Sequence, residues 1–381
     1  MPRLTLPTLR SPRRSERLIT GLDIEPGAVH AAQVSVRGGL SVEKAASAVL
    51  APGVVRDGEV VDTKALAESL STLFATHKLD KRVRIGVANQ RVIVRHLVLP
   101  PIEDPAELAT AVHFQAQAEL PMPIDQAVLQ HVSLGVSDTP DGPRQRVLVV
   151  AARRDMIERL LGAVRTAGLR PEGIDLSAFG MLRALPASTD GLVLHLAVGG
   201  LVNLAVTRAG ECVFTRVITG GIETMAVDLA ERREMHIDDA RALLLEAGLP
   251  DAELETEREP GLELERTAVL PPALKDAEAG PIETARQVLA DGVARIAGEV
   301  RNSLDFHLTA DLRGGASTPA TLATVERVML TGSALAVPGL DTTLARHLAL
   351  PVERADVDGN DPALPGSHAV AAGLAIEEAL S

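Results

Sequence analysis

A strand-turn-strand-turn-strand pattern occurs twice in this chain, over residues 20–49 and again over residues 192–218. In the first copy LITGLDI reads as a strand, Glu25-Pro26-Gly27 turns it, and residues 28–36 return. Gly38-Gly39 then turn the chain into a third strand over 40–49. In the second copy the same order is carried by residues 192–198, Gly199-Gly200, 202–207, Ala209-Gly210 and 212–218, with Gly220-Gly221 heading a helix. Duplication of one supersecondary unit implies an α/β architecture of two related lobes facing one another across a cleft. Asp23 of the first copy then corresponds to Ala197 of the second.

The rest of the chain fits around these copies. Residues 63–77 show helical spacing through Leu66, Leu70, Leu73 and Phe74, so the first lobe is expected over residues 18–81 with a return at 171–190. Residues 82–170 read as a compact α+β insert, with strands at 83–87, 92–99, 128–136 and 145–151 and helices at 105–118 and 155–167. Asp104 before Pro105 is an N-cap with proline at the first helical position, and Gly168 is a C-terminal stop. The second lobe takes residues 191–381, with a helical subdomain at about 221–312. That subdomain comprises helices at 223–233 and 237–247, an acidic solvated loop from Asp251 to beyond Glu265, and a long helix at 282–308. Downstream, VMLTGSALAVPGL reads as a buried strand entering the small-residue turn Thr331-Gly332-Ser333, then a helix over 340–348. A helix over 369–380 ends the chain. The turn at Gly332-Ser333, like Gly220-Gly221, reads either as a place where backbone N–H groups meet an anion or as ordinary turn punctuation.

Composition narrows the function. A net charge of −13, no Trp or Tyr and five Phe argue against a general nucleic-acid binder. The single Cys212, in a strand-like neighbourhood, allows no intramolecular disulfide and reads as a small buried hydrophobe. No run of ~18 apolar residues predicts a transmembrane helix. Residues 1–17 carry five arginines against Glu16 and read as a disordered tail or as an attraction to an anionic membrane surface. The histidines show no zinc spacing, and neither a Gly-x-Ser-x-Gly nor a Walker motif occurs. Asp175 and Asp190 follow apolar stretches and read as turn or cap residues rather than as catalytic carboxylates.

Seven segments, in order, resemble the actin-like superfamily and within it the PilM family of type IV pilus assembly proteins. They are GLDIEPGAVHAAQV, RHLVLP with EDPAELATAVHFQAQAELPMPID, VLVVAARRDMIERLLGAVRTAGLRPEGIDLSAFGMLRAL, FTRVITGGIETMAVDLAERREM, EVRNSLDFHLT, VMLTGSALAVPGL and AAGLAI. The resemblance implies a duplicated actin-like (ribonuclease H-like) fold with the insert placed as in FtsA, lying in the cytoplasm at the inner face of the cell membrane. It implies ATP with Mg²⁺ between the lobes at Asp23, Gly27, Gly199, Gly220, Gly221, Gly332 and Ser333, Asp23 positioning the metal. It also implies a groove between first lobe and insert for the cytoplasmic N-terminal peptide of a PilN-like inner-membrane protein, expected at Leu97, Leu99, Pro100, His113, Gln117 and Leu120. An adaptor of this kind ties membrane components to the assembly motor ATPase and reaches the membrane through its partner.

The chain departs from the family pattern where phosphate would bind. Glu25 stands where glycine is expected, Ala197 where the second acid is expected, and Ala240-Arg241-Ala242-Leu243-Leu244 lacks the usual lysine. Gly332-Ser333 replaces a glycine pair. Two unit charges at 4 Å interact by ~4 kcal/mol at an effective dielectric of 20, so Glu25 opposes a polyanion. Nucleotide binding is therefore expected to be weak or absent, with Arg241 as a compensating cation if it reaches inward. An active ATPase or sugar kinase on the same fold is the alternative.

Overall fold

The computed structural model describes residues 19–36, 39–140, 142–186, 191–250, 280–310, 325–360 and 366–376. The tail at 1–17, the acidic run from Asp251, Asp190, Gly38 and the end of the expected C-terminal helix lie outside these residues.

Strands β1 (Thr20–Glu25) and β2 (Ala28–Ser35) pair antiparallel with Glu25 opposite Ala28, which leaves Pro26-Gly27 as a two-residue turn. Proline presets the first position, and Gly27 at φ 82° takes a conformation that a side chain would resist. β3 (Ser41–Val49) completes the meander. A small hairpin of β4 (Val55–Arg56) and β5 (Glu59–Val60) leads into α1 (Thr63–His77), whose N-terminus is closed by the Asp62 carboxylate accepting from Lys64 N and Ala65 N. α1 then delivers β6 (Arg82–Val87) parallel to β1.

Next come β7 (Ile93–Leu99), α2 (Pro105–Glu119), β8 (Ala127–Thr139) and β9 (Gly142–Arg153), which form a separate three-stranded sheet in the order β7-β9-β8 with α2 on one face. α3 (Arg154–Thr166) and β10 (Arg170–Leu176) return to the first sheet, where β10 runs parallel to β6. Two elements expected in the insert thus lie elsewhere. β6 pairs with β1, and the apolar face of α3 (Met156, Ile157, Leu160) joins the first-lobe core with Leu66 and Leu70 of α1. The reason is topological: a parallel strand needs a crossover, α3 is the crossover helix from β6 to β10, and the small sheet interrupts that crossover. Periodicity alone does not say which sheet a short apolar strand joins.

After α4 (Ser177–Ala184), β11 (Leu192–Val198), β12 (Val202–Arg208) and β13 (Glu211–Ile218) repeat the meander. Helices α5 (Ile222–Arg233), α6 (Ile237–Ala247) and the 30-residue α7 (Pro281–Ala310) precede β14 (Val325–Thr331), parallel to β11. A 3₁₀ turn (Ser333–Ala336), α8 (Leu340–Leu348) and β15 (Val352–Arg354) follow. The second sheet, β13-β12-β11-β14-β15, has the connectivity of the first, β3-β2-β1-β6-β10. That identity of order is the duplication expressed in three dimensions.

The short C-terminal helix α9 (Ala369–Leu374), expected with the second lobe, instead packs against β1, β2 and α4. Its alanines and Gly373 allow an approach that larger residues would prevent. α4 and α9 form a middle layer between the two sheets, with Met181, Leu185, Ala197, Ala205, Val370 and Leu374 packed together. Outside the sheets lie α1 and α3 on one side and α5, α6 and α7 on the other, so each sheet is covered on both faces.

His195, in the middle of β11, is 2% exposed and bonds Thr207 Oγ1 through Nε2 at 3.0 Å, while Nδ1 has no partner among the described residues. Burial, then the Arg327 charge, lower its pKa to about 4. The unfolded chain therefore binds the proton first, and this residue removes stability as pH falls from about 6.5 to about 4 while leaving it level above. Urea denaturation across that range should show a shallower acid slope in His195→Leu than in the wild type; equal slopes would contradict it.

Candidate functional site

The duplicated hairpins bring their turns together. Pro26-Gly27 of the first lobe meets Gly199-Gly200 of the second: a Cβ on Gly199 would overlap the Glu25 carboxylate, and one on Gly200 would overlap the Pro26 carbonyl. Gly221, the N-cap of α5, lies behind, where its own Cβ would strike Gly199 O, and Ile222 N donates to that carbonyl at 2.8 Å. Gly332, at φ 101°, abuts Val198 and donates its N–H to Gly366 O at 3.3 Å, with Ser333 half-buried beyond it. The structure thus gathers Gly27, Gly199, Gly221 and Gly332 at one junction. Gly220 stands one residue further out, beside the Arg295 side chain.

Asp23, two residues before Glu25 on the same strand, is held from the side of α4. Its carboxylate accepts from Ser177 Oγ at 2.9 Å and lies near Gly86, inside the middle layer. Burial raises its pKa to about 6, the Glu25 charge adds to the rise, and His30 and the Ser177 hydroxyl oppose it. Glu25 is 7% exposed and bonds His30 Nε2 at 3.2 Å. From there a polar chain runs through His30 Nδ1 to Ser47 Oγ (2.8 Å), Ser47 Oγ to His368 Nε2 (3.0 Å), and His368 Nδ1 to Asn360 Oδ1 (2.8 Å). Asn360 Nδ2 donates to Asp356, whose other oxygen accepts from Gly366 N at 2.8 Å. Gly366 accepts in turn from Gly332 N, so the first-lobe turn is wired to the second. Local sequence gave no sign of this chain, because its members come from segments more than 300 residues apart.

Arg241 is engaged by groups of the protein itself. It pairs with Glu223 and Asp238 and donates to Leu50 O. Asp175 accepts from Leu176 N and pairs with Arg183 at 2.5 Å, and no side chain caps the N-terminus of α4, so the carboxylate is held by an ion pair rather than serving as the helix cap.

The expected peptide residues divide. Leu97, Leu99 and Leu120 are buried in the insert, the first two under Leu108 and Val112 of α2, so they hold the insert together and offer no surface. Pro100, His113 and Gln117 are exposed. A cavity of about 780 Å³ lies between the end of β6, strand β7, and strand β13 of the second lobe. Consecutive residues line it on both sides, 92–96 and 213–217, which strand edges can do and sheet faces cannot. β7 and β13 are edge strands. The first-lobe counterpart of β13, β3, has its edge met by Asp358, whose carbonyl accepts from Val42 N at 2.7 Å. At the groove wall Asn203 is 4% exposed, and its Oδ1 has no hydrogen-bond partner among the described residues. By register Asn203 stands opposite Ala197 as His30 stands opposite Asp23.

The sequence model of the family described as Type IV pilus assembly protein PilM matches residues 21–258, more than half of the chain. The chain belongs to the PilM family. Among solved structures it is similar to the PilM-PilN type IV pilus biogenesis complex, with a TM-score of 0.69 and 23% identity over 94% of this chain and 97% of that one. It is also similar to MreB5 of Spiroplasma citri bound to ADP (TM-score 0.51, 15% identity, 94% and 95% covered). The ethanolamine utilization protein EutJ from Carboxydothermus hydrogenoformans gives 0.50, 15%, 94% and 89%. These likenesses establish the actin-like fold of this PilM-family chain. Among its described residues no helix is long and apolar enough to cross a membrane, and none of their His, Cys, Asp and Glu side chains form a group of three or more suited to a metal.

Proposed function

We propose that this chain is a scaffold of type IV pilus assembly that takes an extended cytoplasmic segment of a PilN-like inner-membrane protein into the β7–β13 groove. It works in the cytoplasm at the inner face of the membrane, held there by its partner, and links that partner to other assembly components including the motor ATPase. The observation that carries this is the unpartnered Asn203 Oδ1 on the wall of a groove flanked by two strand edges. A buried acceptor left unpaired costs free energy, and a segment that adds to a strand edge can supply the missing donor once the Asn203 side chain turns into the groove. The solved complex of a PilM with PilN supports the choice of partner.

ATP with Mg²⁺ fits the interlobe junction poorly. The Glu25 carboxylate lies against Gly199, Asp23 is turned toward Ser177, Ala197 offers no acid, and Arg241 is committed to Glu223. Nucleotide binding is weak or absent on this reading, and the chain does not act as a phosphoryl-transfer enzyme.

Calorimetric titration tests both halves. The cytoplasmic N-terminal peptide of the partner should bind the wild type and bind Asn203→Leu about tenfold more weakly, since one hydrogen bond in a dry setting is worth about 1.4 kcal/mol. Mg-ATP should give no micromolar binding. A peptide that binds both proteins equally well contradicts the groove, and micromolar Mg-ATP affinity contradicts the nucleotide reading.

A further inference from the structure

The two lobes are held together by side chains of this chain itself. Arg241 of α6 donates Nε to Glu223 Oε2 at 2.9 Å and Nη2 to Glu223 Oε1 at 2.5 Å, and Nη1 reaches Asp238 Oδ1 at 2.8 Å. The same Nη2 crosses to the first lobe and donates to Leu50 O at 3.1 Å. Leu50 N in turn donates to Gly27 O at 2.9 Å, so the backbone that Arg241 grips is the one that closes the β1–β2 turn. Glu223 lies directly over Gly27, where any Cβ would overlap its carboxylate. The Arg241 and Glu223 side chains are only 19% and 12% exposed, so water competes with this bidentate pair far less than with a surface ion pair.

We propose that Arg241 and Glu223 form a latch that keeps the lobes closed without nucleotide, with Glu25 and Pro26 filling the space between the facing glycine turns. The proposal deepens the weak-nucleotide reading and rests on it only for the claim that no ligand is needed for closure. A ligand shifts an open–closed equilibrium only by its differential affinity for the two states. Once internal contacts bias the equilibrium to closed, a scaffold presents one groove geometry at all times. Arginine suits the task because four contacts converge on its planar fork: two to Glu223, one to Asp238 and one to a carbonyl of the other lobe. Lysine, a single ammonium on a flexible stem, cannot span them.

Hydrogen–deuterium exchange on the full chain tests the latch, comparing wild type, Arg241→Lys and Glu223→Gln with and without Mg-ATP. Peptides spanning residues 21–31 and 197–204 should exchange about tenfold faster in Arg241→Lys, the change expected for losing about 1.4 kcal/mol of closing free energy. Peptides from β7 and β9 should be unchanged, and Mg-ATP should not protect the wild type. Glu223→Gln, which keeps the side-chain shape and loses the charge, should move in the same direction by less and serves if Arg241→Lys does not fold. Equal exchange in wild type and variants at both turns overturns the latch. Protection of the wild type by Mg-ATP, with the variants still faster, would leave the latch standing and sink the claims of ligand-free closure and weak nucleotide binding.

Discussion

Replacement of Gly373 by valine is expected to destabilise the protein by about 3 kcal/mol or more and to loosen both sheets at once. Gly373 sits where α9 crosses α4. A Cβ there would overlap the carbonyl of Gly180 and come within 3.0 Å of Ala184 N, and both are backbone atoms that cannot rotate aside. Gly180 faces the same crossing, its Cβ position 2.9 Å from Val370 O. Because α4 and α9 form the layer between the sheets, forcing them apart disturbs the packing of Met181, Leu374, Ala197 and Ala205 together. Gly162 in α3 is the control, since nothing lies within 4 Å of its Cβ position. Gly162→Ala should be neutral or slightly stabilising, as expected for a helix interior. Urea denaturation followed by circular dichroism reads both variants, and a Gly373→Val midpoint close to that of the wild type would refute the close-approach argument.

The contrast between these glycines also shows what could be read from the sequence and what could not. The two hairpins, the Asp104 cap and the stripe of α7 follow from local spacing and local hydrogen bonding, so residues a few positions apart reveal them. The gathering of Gly27, Gly199, Gly221 and Gly332 was implied by the family resemblance, and glycine suits it because a backbone that must approach another backbone leaves no room for a side chain. The parallel pairing of β6 with β1, the docking of α9 on the first sheet and the burial of Leu97 and Leu99 under α2 depend on partners distant in sequence. Glu25 stands as a charge where the family pattern has glycine. Its landing place against Gly199 is set by how the lobes meet, which no local pattern encodes. Arg241 was legible as a cation in place of a lysine, yet its partners Glu223 and Leu50 come from another helix and another lobe. Asn203 had no signal at all: a polar residue in an apolar strand becomes informative only once its acceptor is seen without a donor.

Leu22→Ala and Leu196→Ala should each cost about 3 kcal/mol and move the same unfolding transition. These leucines occupy equivalent positions in the two copies, one residue before Asp23 and Ala197, and both are fully buried in the central strands β1 and β11. Leu22 packs in the core with Val29, Leu70 and Ile85, and Leu196 in the core with Leu204, Leu330 and Val293. Each truncation leaves a void lined by side chains anchored in a sheet, which relaxes little, so the lost transfer free energy and the cavity term add. The cores themselves are separate, and two independent lobes would melt in two steps, each sensitive to one substitution only. Here α4 contacts both sheets and carries α9 with it, the turns interlock at Gly199 and Gly200, and Arg241 ties α6 to Leu50. Opening one lobe therefore exposes apolar surface of the other, and that shared surface makes unfolding a single event. Differential scanning calorimetry of the two variants decides the matter, because two transitions that respond separately would mean that the contacts across the junction are too weak to couple the lobes.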